Sequence, residues 1–140
     1  MQRSKTKLMI SWLLWALWTI LLCFLFLAPS EGTAVRDISL FFGGSELTDA
    51  IGHVVMIFVE TALLYNVLRH YKRNDTALQY AVGVTLVFGL CAELAQRWIP
   101  SRGASLIDVC AAFIGVVLFA FVIRKKMWIV RFMENKGFAK

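Results

Sequence analysis

The chain has 140 residues and a mass of 15.9 kDa; 59% of its residues are hydrophobic, 17% are charged, and the mean hydropathy is +0.69. So short a chain reaches this hydropathy only through long uninterrupted apolar runs, which excludes a water-soluble domain, a disordered chain and a collagen-like chain. The formal net charge is +6, but no basic groove with interleaved aromatic residues accompanies it, so the sequence predicts no nucleic-acid partner.

Four apolar stretches are each close to the roughly 20 residues that a helix needs to cross the hydrocarbon core of a bilayer. They predict transmembrane helices over about residues 8–28, 50–68, 77–99 and 106–123. The first stretch could instead be a signal peptide, but its apolar run is about twice the usual length and no small-residue cleavage site follows it. The sequence therefore predicts an all-α integral membrane protein, with a bundle of four transmembrane helices in residues 8–123.

The lysine and arginine residues are distributed unevenly between the two sides of this bundle. Twelve lie in residues 1–7, 69–73 and 124–140, and only Arg36, Arg97 and Arg102 lie on the other side. The positive-inside rule then predicts that both termini lie in the cytoplasm, N-in and C-in. Residues 1–7 form a basic N-terminus, and residues 124–140 carry apolar residues at helical spacing between basic ones. This pattern predicts a short amphipathic tail on the cytoplasmic leaflet, in contact with membrane lipids.

Two features precede the second helix: a long connection and a row of tryptophans along the first helix. The connection from Pro29 to Thr48 is long and partly apolar, which suits either a lid or a loop that rests on the membrane surface. Along the first helix, Trp12, Trp15 and Trp18 form a ridge that runs too deep for an interfacial belt. That ridge predicts a packing or lipid-facing stripe.

Ionisable side chains inside membrane spans cost about 2.5–3.5 kcal/mol each on insertion scales, so they usually face protein or water and mark function. At 1.5 Å per residue, His53, Glu93 and Asp108 lie roughly 5 to 9 Å in from the outer ends of three different helices. Arg102 adds a guanidinium in the adjoining outer loop. We therefore predict a polar cluster at one depth in the membrane. Its members either hydrogen-bond to one another as a buried network or bind a polar head group.

Each member of this cluster also has a simpler structural interpretation. Ser105 and Asp108 match a capping box at the start of the fourth helix. Asp49 and His53 are four residues apart and could pair with each other near the surface, a contact worth about 0.5 kcal/mol on a helix.

Glu93 and Gln96 are harder to explain as surface groups, because they are three residues apart and share a helix face. Of all the polar residues, Glu93 is the strongest candidate for function. Glu60 lies roughly 18 Å along the second helix, on the same face as His53. A neutral Glu60 bonded to another helix is one interpretation, and a step in a proton relay is the other.

The residues from Glu93 to Asp108 form the pattern E-x-x-Q-x-aromatic-x-P-x-R, then S-x-x-D, followed seven residues later by Gly115. This pattern resembles the signature of the VanZ-like membrane proteins, and Asp49-Ala-Ile-Gly-His53 resembles their D-K-x-x-H. The resemblance covers about residues 48–117. It departs from the family at Ala50, where Lys is usual, and at Ala112, where Asn is usual.

The resemblance implies a bacterial cytoplasmic-membrane protein of four or more helices. The family is named for a member linked to resistance against the glycopeptide teicoplanin, and it implies no settled biochemical activity. Carried over position by position, the ligand-binding residues that it implies are Asp49, His53, Glu93, Gln96, Arg102, Ser105 and Asp108.

Three functions compete. In the first, the protein is not an enzyme, and its outer cluster binds a cell-envelope lipid or a peptidoglycan-related group and influences glycopeptide susceptibility. In the second, an intramembrane hydrolase or transferase acts on a lipid head group with His53 and Glu93 as catalytic acid and base, with or without a metal ion between them. In the third, several chains assemble into a small transporter that uses Glu60.

The inventory of chemical groups favours the first function. The sequence has no H-E-x-x-H motif, no phosphate-binding loop and no Cys-x-x-Cys. Its three cysteines, Cys23, Cys91 and Cys110, lie in apolar stretches and are interpreted as packing residues. We therefore predict neither a cofactor nor a metal site, and leave the homo-oligomeric state open.

Overall fold

The computed structural model describes residues 2–29, 45–99 and 105–136. Within these ranges the chain forms four helices and no strands: α1 (Gln2–Leu27), α2 (Glu46–Leu68), α3 (Asn74–Gln96) and α4 (Leu106–Asn135). Each helix is long and apolar enough to cross a membrane. The predicted all-α fold with four membrane-spanning helices is thus confirmed, and the N-in, C-in orientation stays a prediction.

Serine residues cap the N-termini of two helices. The backbone of Ser45 is extended (φ −103°, ψ 153°), and its hydroxyl accepts a hydrogen bond from the Thr48 amide at 3.2 Å. Ser105 has the same role in α4, where its hydroxyl accepts from the Asp108 amide at 3.4 Å. Each hydroxyl satisfies one of the amide groups that a helix leaves without a partner at its N-terminus, which is why serine is favoured there.

The fourth helix is longer than the sequence predicts. It has 30 residues, which corresponds to about 45 Å at 1.5 Å per residue, against about 30 Å for the hydrocarbon core. Residues 124–135 contain no Gly or Pro to end the helix, so the expected short tail helix is continuous with the span. The ion pair between Arg131 Nη2 and Asp75 Oδ2, at 2.7 Å, joins this extension to the start of α3.

Neighbouring helices run antiparallel, as their contacts demonstrate. Ser11 near the start of α1 contacts Asn66 near the end of α2, whereas Phe26 at the end of α1 stacks on His53. We call the end of the bundle where α1 and α3 end and α2 and α4 begin the cluster end, and the other end the opposite end.

α2 packs against all three other helices. Two apolar clusters fill the interior, and they comprise Leu64, Tyr65, Ala77, Leu78, Ala81 and Phe119 in the first and Leu22, Phe26, Ile57 and Val116 in the second. The outward faces carry large exposed apolar side chains on all four helices. Such faces suit contact with lipid. Lipid tails are as apolar as leucine, so exposure of these side chains to hydrocarbon carries no free-energy penalty.

Candidate functional site

Three side chains meet at the cluster end, each from a different helix. His53 lies near the start of α2, Glu93 in the last turn of α3 and Asp108 in the first turn of α4. One nitrogen or oxygen of each side chain lies within 4.8 Å of the others. Glu93 is 5% exposed, and the side chains of His53 and Asp108 are 13% and 18% exposed. The structure therefore brings together the three residues that the depth argument selected.

Glu93 holds the start of α4 in place. Its Oε1 accepts a hydrogen bond from the backbone amide of Ser105, the N-cap residue. In a capping box, the side chain at the third helical position, here Asp108, would accept from that amide. Because Glu93 accepts from it, the Asp108 carboxylate faces His53 instead, with Oδ1 at 3.5 Å from Nδ1. The predicted cap by Ser105 is present, but the Asp108 side chain does not complete the predicted capping box.

His53 is held on two sides. The ring stacks on Phe26 of α1, with the ring centroids 4.8 Å apart and the planes 4° from parallel. Its Nδ1 lies 3.0 Å from the Asp49 backbone carbonyl, which only accepts hydrogen bonds, so Nδ1 carries a proton. Nε2 is buried and has no hydrogen-bond partner among the described residues.

The other predicted site residues lie outside this contact. Gln96 is buried, and its Nε2 donates to the Phe26 carbonyl at 3.0 Å, so it positions the ring that stacks on His53. Asp49 contributes its backbone carbonyl, and its side chain is exposed. Arg102 and residues 30–44 of the predicted outer loop lie outside the described residues. Arg97 and Trp98 are both exposed, as expected for side chains that reach toward the interface.

Glu60 is bound within the bundle, far from the cluster. Its Oε1 accepts from Trp15 Nε1 at 2.9 Å, and both carboxylate oxygens lie 3.2 Å from Thr19 Oγ1. The carboxyl group is therefore bonded to another helix, one of the two interpretations that the sequence allowed. Within the tryptophan ridge, Trp15 and Trp18 are half-buried against α2, where Trp18 Nε1 donates to the Met56 carbonyl at 3.3 Å, whereas Trp12 is exposed and donates to the Tyr71 hydroxyl at 3.0 Å.

Sequence reasoning missed Phe26, Trp15 and Thr19. Phe26 is one apolar residue within an uninterrupted apolar helix, and nothing in its local pattern indicates a ring that stacks on a histidine. Trp15 and Thr19 are four residues apart and therefore share a face of α1. That spacing is the signal that could have paired them with Glu60, the acid in the middle of α2.

The charge balance of the cluster is negative. Glu93 and Asp108 bring two carboxylates and His53 one imidazole, and in the described parts of the chain no Lys or Arg nitrogen lies within 4.0 Å of either carboxylate. The N-termini of α2 and α4 lie at this end, and their helix dipoles favour negative charge. Such a group can accept hydrogen bonds, hold a cation or transfer a proton.

Comparison of the chain with protein-family models, curated proteins and solved structures finds no match.

Proposed function

We propose that this protein is a non-enzymatic component of the bacterial cytoplasmic membrane whose cluster end faces outward and binds a polar group of the cell envelope. The ligand is the head group of a lipid-linked or peptidoglycan-related molecule, and its binding influences susceptibility to glycopeptides such as teicoplanin. The observation that supports this proposal is the convergence of His53, Glu93 and Asp108, from three helices, within 4.8 Å.

The chemistry of the cluster suits such a head group. Carboxylate oxygens accept hydrogen bonds from the hydroxyl and amide groups of a sugar-peptide head group. Arg102, which the resemblance adds to the site, would bind a phosphate or carboxylate through its planar pair of donors. The outward orientation rests on the distribution of basic residues, because twelve of fifteen lie on the opposite side in the predicted topology.

The experiment compares teicoplanin susceptibility in a sensitive bacterial strain with and without the protein. We expect production of the wild type to change the inhibitory concentration, and we expect Glu93→Gln and Arg102→Ala to abolish the change at equal protein levels. Glu93→Gln keeps an oxygen that accepts the Ser105 amide, so the start of α4 is retained. Glu134→Gln, an exposed acid near the far end of α4, is the matched control. An unaltered change in both cluster variants would contradict the proposal.

Direct binding is measured with the purified protein in detergent and polyprenyl diphosphate as the probe, by native mass spectrometry. We expect a one-to-one complex that Glu93→Gln weakens and Glu134→Gln does not.

The alternative of an intramembrane hydrolase acting on a lipid head group is favoured by the 3.5 Å approach of His53 and Asp108 next to Glu93, which resembles an acid-base pair. Release of inorganic phosphate from the same probe would support this alternative over simple binding.

A further inference from the structure

The cluster has the composition of a metal site. We propose that His53, Glu93 and Asp108 bind one first-row divalent cation, and that an open coordination position accepts an anionic oxygen of the head group. The second part rests on the proposed function, and the first part stands without it. The three residues form no metal-binding motif in the sequence, because they come from three different helices and their spacing along the chain matches no known pattern.

The donor atoms are those that such ions prefer. Zn²⁺ is bound by imidazole nitrogen and carboxylate oxygen at about 2.0–2.2 Å, and sites with three protein ligands keep a fourth position for water or substrate. At these bond lengths tetrahedral ligands lie roughly 3.4 Å apart. The three candidate ligand atoms lie within 4.8 Å of one another, so the widest pair has to close by roughly 1 to 1.5 Å, which side-chain rotation supplies.

The contacts of His53 point independently to a ligand. Nδ1 lies 3.5 Å from Asp108 Oδ1 and donates to the Asp49 carbonyl, and the buried Nε2, which carries a lone pair in the neutral ring, has no hydrogen-bond partner in the described ranges. A metal-binding histidine almost always donates its other ring N–H to a carbonyl or a carboxylate, which fixes the ring and its tautomer. The stacking on Phe26 holds the ring in addition.

The charge of the site leads to the same conclusion. Two carboxylates that are mostly buried, without a described Lys or Arg partner, repel each other and attract a cation. A carboxylate has two oxygens, so Glu93 can accept the Ser105 amide with one and bind the ion with the other. A bound divalent ion would neutralise the two carboxylates, and its open coordination position would accept an anionic oxygen, which explains how an acidic cluster can bind an anionic head group.

The test uses the full chain in detergent micelles after treatment with EDTA. We expect isothermal titration with Zn²⁺ or Mn²⁺ alone to give one ion per chain and to raise the melting temperature, since an ion that binds only the folded state stabilises it. Co²⁺ should give the visible absorption of a bound, low-symmetry site. In ¹⁵N spectra of labelled histidine, the Nε2 resonance of His53 should shift on Zn²⁺ addition.

Single substitutions assign the ligands. We expect His53→Ala, Glu93→Gln and Asp108→Asn each to weaken Zn²⁺ binding at least about 10-fold, because even outer-shell partners are typically worth 10–100-fold. The last two variants keep side-chain shape, so they remain informative if His53→Ala does not fold. The controls are His70→Ala and Asp75→Asn, exposed residues at the opposite end, which should leave affinity unchanged.

The outcomes separate the two proposals. Absence of stoichiometric binding, or equal weakening by the control variants, would overturn the cation site. If polyprenyl diphosphate still binds in EDTA and Glu93→Gln abolishes that binding, coordination of the head group by the ion is overturned while the proposed function stands. If Zn²⁺ binds as expected and the probe does not bind with or without it, the cation site stands and the proposed function fails.

Discussion

Gly115 lies where the backbone of α4 passes against the backbone of α2. A Cβ atom at this position would lie 2.5 Å from the Val54 carbonyl oxygen and 3.2 Å from the Phe58 amide nitrogen. Both neighbours are backbone atoms, which cannot move aside as the end of a flexible side chain can. The two helices that carry His53 and Asp108 therefore depend on a hydrogen atom at residue 115 for their approach.

We predict that Gly115→Ala destabilises the protein by about 1–3 kcal/mol, the usual cost of forcing an extra methyl group into a packed interior. The measurement is the free energy of unfolding in detergent, from a denaturant titration. Gly83→Ala is the matched control, since a Cβ there meets nothing within 4 Å. It should be neutral or stabilise by up to about 1 kcal/mol, because alanine is the better helix former. Equal loss in both variants would contradict the close approach.

At the scale of the helices, α1 is joined to α2 by a row of polar contacts along an otherwise apolar surface. Asn66 donates to the Ser11 hydroxyl at 2.8 Å, and Trp15 and Thr19 contact Glu60. Apolar surface drives no association between helices within lipid, so packing and such interhelical hydrogen bonds carry much of the specificity. These contacts set the register in which Phe26 reaches His53.

We predict that Trp15→Phe costs about 0.6–2 kcal/mol of unfolding free energy, the range measured for interhelical hydrogen bonds in membranes. In a Glu60→Leu background the same substitution should cost much less, because its partner is gone. A double-mutant cycle in detergent measures the coupling. Trp128→Phe, at an exposed position in α4, is the control and should show no coupling to Glu60. Additive effects of Trp15→Phe and Glu60→Leu would contradict the prediction that the hydrogen bond between Trp15 and Glu60 stabilises the fold.

At the scale of the whole molecule, four antiparallel helices place the acidic cluster at one end and most of the basic residues at the other. Arg69, Lys126 and Arg131 line a cavity of about 300 Å³ at the opposite end, together with Glu134. This separation of charge along the bundle is the feature on which the predicted orientation depends, since basic residues favour the cytoplasmic side.

We predict that a fluorescent protein fused after residue 140 fluoresces in bacterial cells, and that alkaline phosphatase fused at the same place is inactive, because the predicted topology places both termini in the cytoplasm. The same phosphatase inserted after residue 36, in the predicted outer loop, should be active. The reverse pattern would place the cluster end in the cytoplasm and would exclude an envelope ligand.

The sequence predicted the four spans well, because an apolar run of about 20 residues has one stable solution in a bilayer, a helix that satisfies its own backbone groups. It also selected His53, Glu93 and Asp108, because ionisable residues are rare within such runs and depth along a helix follows from counting residues. The end of the fourth helix was predicted less well, since charge composition changes at Arg124 while helix propensity does not.

Other features were decided only by the tertiary structure. That Glu93 accepts the Ser105 amide and thereby turns Asp108 toward His53 depends on how α3 meets α4, and the stacking of Phe26 on His53 depends on how α1 meets α2. Composition and helical periodicity determine which side chains lie at a given depth. The rotation of each helix about its axis, set by contacts such as Gly115 against Val54, determines which of them touch.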